Sequence, residues 1–598
     1  MKSLILCLLS AFSLSTVGFT NLKPYYTAHI EAETAAMNGG SRIENKYFPH
    51  VGRGYVTLPQ QSSTVEWKTI RVPHAGKYTL LIKYANGSNE ERPCQLEVNG
   101  AVVETLPFAP VYSDWHHYWN VRAAVELREG DNVIRLIAVT GRGGPNIDNI
   151  AVSSDTIAVP PGERFDVRAF GAKGDGSTDD TKAIQAAIDA CTPGGSVVLS
   201  DGVFMSGQIR LKSDMTLWID KTATLRAIQK AELFPNADPP SNNVSVADEL
   251  GQAFVYSQGA DNLTITGGGT LDGNGECEIW NREKDESIRP VPVYLTQGRN
   301  IKVTHLDIVR GAMWTLVPLE CDDVIIDGIN INSTFGKNKD GIDPCDCHDV
   351  LIVNCTLTVE DDALCPKSGH VRGCENITFR NITVNRTICG LVKLGTKSYG
   401  HFKNIVFEDL ALYGTQAHKD SNVAVNLSTV DGADIENIIV RRANIRNAAT
   451  GIFIMHGAGG KARIPKGDPA KPGSVQNILI EDLDIRECHD PFGNFITGTR
   501  VGDTVYEVKD VILRNVRIEC KGGLEDVPED PREYTNEYPN YNWCRGSLPA
   551  WGHYIRHARN IVFENCVHTV FPKDARDKFV MTNAGPVTVD GAPLAAED

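Results

Sequence analysis

Three short stretches hold the residues whose types and spacing could do chemistry: NKDGIDPCD (338–346), VEDDALCPKSG (359–369) and CGLVKLGTKS (389–398). Asp340 and Asp361 stand 21 residues apart, and Asp362 follows directly. Carboxylates brought close together raise at least one pKa by mutual repulsion, which sets a protonated acid beside an ionised base. Such a pair splits a glycosidic bond, the acid protonating the leaving oxygen while the base activates water. A gap of about 6.5–9.5 Å leaves room for the water and predicts inversion, against about 5 Å for a retaining pair. Two other readings stay open on spacing alone. Hard cations favour clustered carboxylates, so calcium is one; solvated turns are the other, since Asp-Asp pairs also occur at 179–180 and 322–323.

An acidic cluster works only if the fold assembles it. From residue 261 the chain repeats a short β run opened by Asn or Asp, at 262, 300, 323, 349, 376, 404, 437, 477, 510 and 560. The tightest intervals are 23, 26, 27 and 28 residues. A period in the twenties without intervening helices predicts an all-β fold, a right-handed parallel β-helix whose coils bury Ile, Val and Leu inward. Neighbouring coils stack about 4.8 Å apart, so Asp340 and Asp361 can share a face. Asp361 and Asp362 would point to opposite faces of a regular strand, so both reach one site only where the chain turns or bulges. Ahead of the repeat, FDVRAFGAKGDGSTDDTKAIQAAIDAC (165–191) predicts a strand, a Gly-rich loop and an amphipathic helix. Asp179 or Asp180 is its expected N-cap, and Ile184, Ala187 and Ile188 its buried face. The helix would cover the first coil, where bare strand edges invite aggregation.

Residues 24–154 alternate in period two, as in KYTLLIKYA (77–85) and DNVIRLIAV (131–139), and predict a β-sandwich. DTIAVPPGE (155–163) reads as a linker, and 164–598 as the coil domain. Residues 1–20 read as a secretory signal peptide, too short to span a bilayer, so a secreted or periplasmic protein without a membrane span is expected. The 598 residues carry 59 Lys+Arg against 75 Asp+Glu, a net −16 that argues against binding nucleic acid through its phosphates. At 41% hydrophobic the chain is not disordered, and its 54 glycines fit a turn-rich β protein rather than a helical bundle. A monomer is the expectation. Export permits disulfides, with Cys345/Cys347 or Cys520/Cys544 as candidate pairs, while Cys355, Cys374 and Cys566 read as small buried hydrophobes. No clustered CxxC or HxxxH spacing suggests zinc, and no cofactor is expected for catalysis.

The motif Asn338-Lys339-Asp340-Gly341-Ile342-Asp343, followed one coil later by Asp361-Asp362…Lys367-Ser368-Gly369, resembles the polygalacturonases of glycoside hydrolase family 28. The opening 165–189 and GGGTLDGNG (267–275) share the likeness, which covers roughly 164–570. It implies that Asp361 is the general acid and that Asp340 and Asp362 hold and activate the water. It also implies an inverting hydrolase of α-linked galacturonic acid in pectin, either homogalacturonan or rhamnogalacturonan. There are departures. Lys339 replaces Thr, the family's Gly-His-Gly histidine is missing near Ile388-Cys389-Gly390, and its Arg-Ile-Lys is missing near 451–454. These resemble a divergent bacterial branch, marked by LVKLGTKS and LPAWGHYIRH (548–557), and leave open another α-linked plant or algal glycan, or a non-catalytic polysaccharide-binding protein. A polyanionic substrate must still meet cations, and Asn338, Lys367, Lys393, His456 and Arg556 are the expected contacts, with Arg556 offering a bidentate fork.

HIEAETAAMNGG (29–40), GKYTLLIKYANG (76–87) and GPNIDNIAV (144–152) resemble carbohydrate-binding modules of the family 6 and 35 type. By that resemblance Glu31 or Glu33 and Asp148 would hold a structural calcium. Tyr55, Trp115 and Asn146 would meet sugar in a loop-end cleft, ring faces on CH surfaces and the amide on hydroxyls.

Overall fold

The structure is a computed structural model, and it describes residues 25–237, 243–244, 250–280, 289–415, 422–459, 464, 471–533 and 548–594. The expected signal peptide and Cys544 lie outside the described residues.

Alternation in the first 150 residues builds two antiparallel sheets face to face. One contains Thr27–Glu31, Gly76–Ala85, Trp119–Leu127 and Asn146–Ser153; the other contains Thr64–Val72, Cys94–Val98 and Gly130–Ala138. Leu80, Ile82, Leu96, Leu136 and Ile150 fill the space between them. Asn146–Ser153 and most of Gly76–Ala85 are buried on both faces, which a free-standing sandwich would not require. Their outer faces lie against the coils, where Lys83 Nζ donates to Asn381 Oδ1 at 3.0 Å and Asn149 Nδ2 does so at 3.0 Å.

From Arg164 the chain winds into a parallel β-helix. A 23-strand sheet runs its length, closed by a four-strand sheet early and a six-strand sheet late. Ile, Val and Leu from successive coils stack inside as one continuous core, and Phe379 lies flat on Phe407 with ring centroids 4.7 Å apart. The repeating Asn/Asp has a physical cause. Each of the ten adopts a left-handed backbone, φ between 53° and 59°, which Asn and Asp tolerate better than other side chains. Their amides bond from coil to coil, Asn404 Nδ2 to Asn376 at 3.0 Å and Asn437 Nδ2 to Asn404 at 2.9 Å. The helix Thr181–Ala190 covers the first coil and buries Ile184, Ala187 and Ile188, as expected. Both aspartates work at its start: Asp179 accepts from Thr181 N at 3.0 Å, while Asp180 ties down Lys173 N and Gly174 N.

Cys345 and Cys347 correct one expectation. Both are buried free thiols that pack into different apolar clusters, and each donates to a backbone carbonyl. Cys520 is also free.

Candidate active site

The four-strand and six-strand sheets form one wall of the solenoid, and between them regular pairing breaks down. Across this gap only isolated parallel bridges connect the coils, Leu316 to Ile342 to Leu364 to Val392, and Cys345 to Lys367. That is the irregularity the adjacent aspartates need. Two residues before each bridge, Trp314, Asp340, Asp362 and Gly390 fall in register. Thr315 N bonds Asp340 O at 3.0 Å, Gly341 N bonds Asp362 O at 2.9 Å, and Ala363 N bonds Gly390 O at 3.0 Å. Asp362, not Asp361, is therefore the rung neighbour of Asp340. Asp361 sits one residue back, over Lys339, and its Oδ1 accepts from Asp362 N at 2.9 Å. Carboxylate oxygens of Asp361 and Asp362 approach within 4.8 Å, with the Cys389 thiol as close. The three stretches meet in one place.

Two buried lysines set the charges. Lys393 Nζ donates to Asp362 Oδ2 at 2.7 Å, and Gly390 N donates to Oδ1 at 2.8 Å. A Cβ on Gly390 would stand 2.9 Å from Asp362 Oδ1 and 2.8 Å from the Lys393 chain, so this pair requires glycine there. Burial works against an ionised Asp362, yet Lys393 and Lys367 hold its carboxyl below the usual range. Asp361 goes the other way: burial and the Asp362 charge push it up to about 6. Lys367 Nζ lies 2.9 Å from Asp340 and 3.4 Å from Asp343, over the face of Trp314 at 4.4 Å. Burial raises both of those carboxyls, and together they raise Lys367. Lys367 opposes that rise at both, and its shorter contact is with Asp340.

The expected substrate cations are placed differently. Lys367 and Lys393 serve the carboxylates themselves. Arg556 lies four strands along the sheet from Lys393, about 19 Å at the usual strand spacing. Its guanidinium donates to the Pro531 and Arg532 carbonyls and stands 3.8 Å from Glu533, so it pins its own insertion rather than a sugar carboxylate. His456, two strands along, is buried with Nε2 2.8 Å from Pro472 O. Asn338 does border the site, and Arg289, which no motif singles out, donates to its Oδ1 at 3.1 Å. Cys389 was also missed as a neighbour, since only the coil register reveals it. Beyond Lys393 its row continues through Asn426, Phe453, Phe495 and Tyr554. The last three belong to a buried apolar cluster closed by Phe492 and Leu548.

In the sandwich, Tyr55 is 0% exposed and Asn146 is 4% exposed, so neither can present itself to a sugar. Packing against Tyr47 and His50 encloses Tyr55, and pairing with Ala85 and Thr57 encloses Asn146. Trp115 is half-buried, stacked on Tyr47 at 5.9 Å and under the Arg92 guanidinium at 5.1 Å. Glu31 and Glu33 meet beside Gly52, where a Cβ would lie 2.5 Å from Glu33 Oε1 and 3.3 Å from Glu31 Oε2, while Asp148 accepts from Val51 N at 3.1 Å. Burial, with the Glu33 charge and against Lys83, pushes Asp148 up to about 8, and burial with the Asp148 and Glu33 charges raises Glu31. Glu31 Oε2 and Glu33 Oε2 are buried with no hydrogen-bond partner. Orphaned hard oxygens of this kind fit a calcium ion.

The sequence pattern of the glycosyl hydrolases of family 28 matches residues 192–457, and that of the family 6 carbohydrate binding module matches 31–154. An endo-polygalacturonase of Pectobacterium carotovorum subsp. carotovorum is 26% identical over 293 residues, 45% of this chain and 71% of that protein. A probable polygalacturonase of Vitis vinifera is 25% identical over 334 residues, 52% of this chain and 67% of that protein. The family 28 exopolygalacturonase of Yersinia enterocolitica shares the fold, with a TM-score of 0.58 at 16% identity over 90% of this chain and 100% of that one. With the aspartate motifs assembled on a parallel β-helix behind a β-sandwich, the chain is a glycoside hydrolase with a family 28 domain over residues 192–457 and a family 6 carbohydrate binding module over 31–154.

Proposed function

We propose that this enzyme hydrolyses α-linked galacturonic acid units of pectin, in homogalacturonan or rhamnogalacturonan, with inversion. One observation carries the reading: Asp340 and Asp362 occupy adjacent rungs, each held by a lysine, with the raised carboxyl of Asp361 beside them. Asp361 gives its proton to the leaving glycosidic oxygen. Asp362, held ionised by Lys393, and Asp340, beside Lys367, orient a water and take up its proton as it attacks the anomeric carbon from the opposite side. The matched relatives are named as polygalacturonases, which supports the substrate. Proton NMR of a fresh polygalacturonate digest tests the proposal. The β-anomer should appear first, and the α-anomer appearing first would overturn the assigned roles.

The absence of the family's Gly-His-Gly histidine near Ile388-Cys389-Gly390 and of its Arg-Ile-Lys near 451–454 favours a second reading, hydrolysis of another α-linked glycan. Reducing-sugar release from a panel of polygalacturonate, rhamnogalacturonan and neutral α-glycans separates the two. Glu31, Glu33 and Asp148 would hold calcium as a structural ion in the sandwich. Export and action as a single chain complete the proposal; no helix among the described residues is long and apolar enough to cross a membrane.

A further inference from the structure

The three coils that carry the catalytic groups continue, just past the site, into the starts of three neighbouring strands, His348–Val353, Cys374–Thr387 and His401–Gly414. At those starts His348, Glu375 and His401 line up across the coils, His348 paired with Glu375 and His401 one residue before Phe402, the partner of Cys374. One ligand atom from each lies within 4.8 Å of those of the other two. The imidazoles stack at 6.3 Å with 25° between their planes. His401 Nε2 is buried with no hydrogen-bond partner and stands 3.9 Å from Glu375 Oε2. Room for its ring comes from Gly373, where a Cβ would lie 2.6 Å from His401.

Second-neighbour contacts suit a cation. The Arg372 carbonyl, 3.2 Å from His348 Nε2, accepts that ring's proton and leaves Nδ1 with its lone pair, the arrangement that fixes the tautomer of a metal-ligating histidine. Asp322 Oδ1 stands 3.9 Å from that Nδ1 and adds negative charge, shared with Arg372. Two imidazoles and a carboxylate suit zinc or a similar divalent transition ion rather than calcium, which takes oxygen ligands.

We infer that His348, Glu375 and His401 form a divalent transition-metal site that staples the three coils bearing Asp340, Asp361, Asp362 and Lys393. A bound ion would fix the register of those coils from outside the groove. It takes no part in the chemistry.

Titration with Zn2+ by calorimetry tests this, using full-length chelator-treated protein in excess calcium so that the sandwich carboxylates are occupied. The parent should bind one Zn2+ equivalent more than His401→Ala and one more than Glu375→Gln. Zinc should also raise the parent's melting temperature by mass action, and this rise should disappear in both variants. Equal stoichiometry and an equal rise in all three proteins would overturn the site. Glu375 has a 39% exposed side chain, so its variant remains informative if His401→Ala does not fold, and circular dichroism without metal checks both.

Discussion

Asp361 and Asp362 are chain neighbours that titrate in opposite directions. Asp361 is lifted to about 6 by burial and by the charge next door, whereas Lys393 and Lys367 hold Asp362 down in spite of burial. A general acid must carry its proton, so kcat/KM should fall about tenfold per pH unit above pH 6. A pH profile that stays flat to pH 8 would remove Asp361 from that role. Asp361→Asn should lose about 10²–10⁴-fold in rate. It should melt no lower than the parent, because at neutral pH it replaces a charge that burial disfavours. Lys393→Met acts on the other limb. Without its ammonium, burial raises Asp362, so the low-pH limb moves up and the profile narrows from the acid side. Breaking a buried pair also leaves a charge uncompensated, costing about 3–5 kcal/mol. That loss should be larger at pH 7 than at pH 4, where Asp362 takes up a proton, and denaturant unfolding at the two values measures the difference.

The coils were legible in the sequence because their punctuation is a backbone requirement. An L-residue other than Asn or Asp is disfavoured at a left-handed turn, so Asn262 through Asn560 mark every coil that the structure contains there. A second ladder, five residues on, went unread although it is equally regular: Asn354, Asn381, Asp409, Asp482, Asn515 and Asn565 also adopt positive φ. These lie inside β runs, where an Asn reads as an ordinary outward polar residue. The aspartate motifs were legible for the same reason of spacing, but the register was off by one residue, since a 21-residue interval does not show which aspartate faces Asp340. The lysine pairings were hidden because Lys367 and Lys393 reach aspartates 27 and 31 residues away across the coils. Asn404 separates the two demands of the ladder. Asn404→Gly keeps the turn and loses only the amide bonds, about 1 kcal/mol, while Asn404→Ala also forces φ of 56° on an alanine and should cost about 1–2 kcal/mol more. Equal chemical-denaturation midpoints for the two variants would show that the backbone conformation contributes nothing.

At the scale of the whole molecule, the sandwich is joined to the coils by backbone as much as by side chains. Trp119–Leu127 is an edge strand, with unpaired peptide groups that invite aggregation unless something covers them. Asparagine side chains of the coils cover them. Asn330 Oδ1 accepts from Asn120 N and its Nδ2 donates to Asn120 O, both at 3.0 Å, and Asn385 repeats the exchange with Tyr118 at 2.8 and 2.9 Å. Arg122 then reaches Asp307 at 2.8 Å and the Leu306 and Gly328 carbonyls at 2.8 and 3.0 Å. Separating the modules would leave these groups without partners, at about 1–3 kcal/mol for each one that stays buried. The two modules should therefore unfold together, giving one calorimetric transition. Asn330→Ala, which orphans both peptide groups of Asn120, should lower its midpoint without splitting it. Two resolved transitions in the parent protein would mean that the sandwich is merely tethered. In that case the double-sided burial of Gly76–Ala85 and Asn146–Ser153 would lose its explanation, because only a permanent face against the coils accounts for strands that sequence alternation marks as half-exposed.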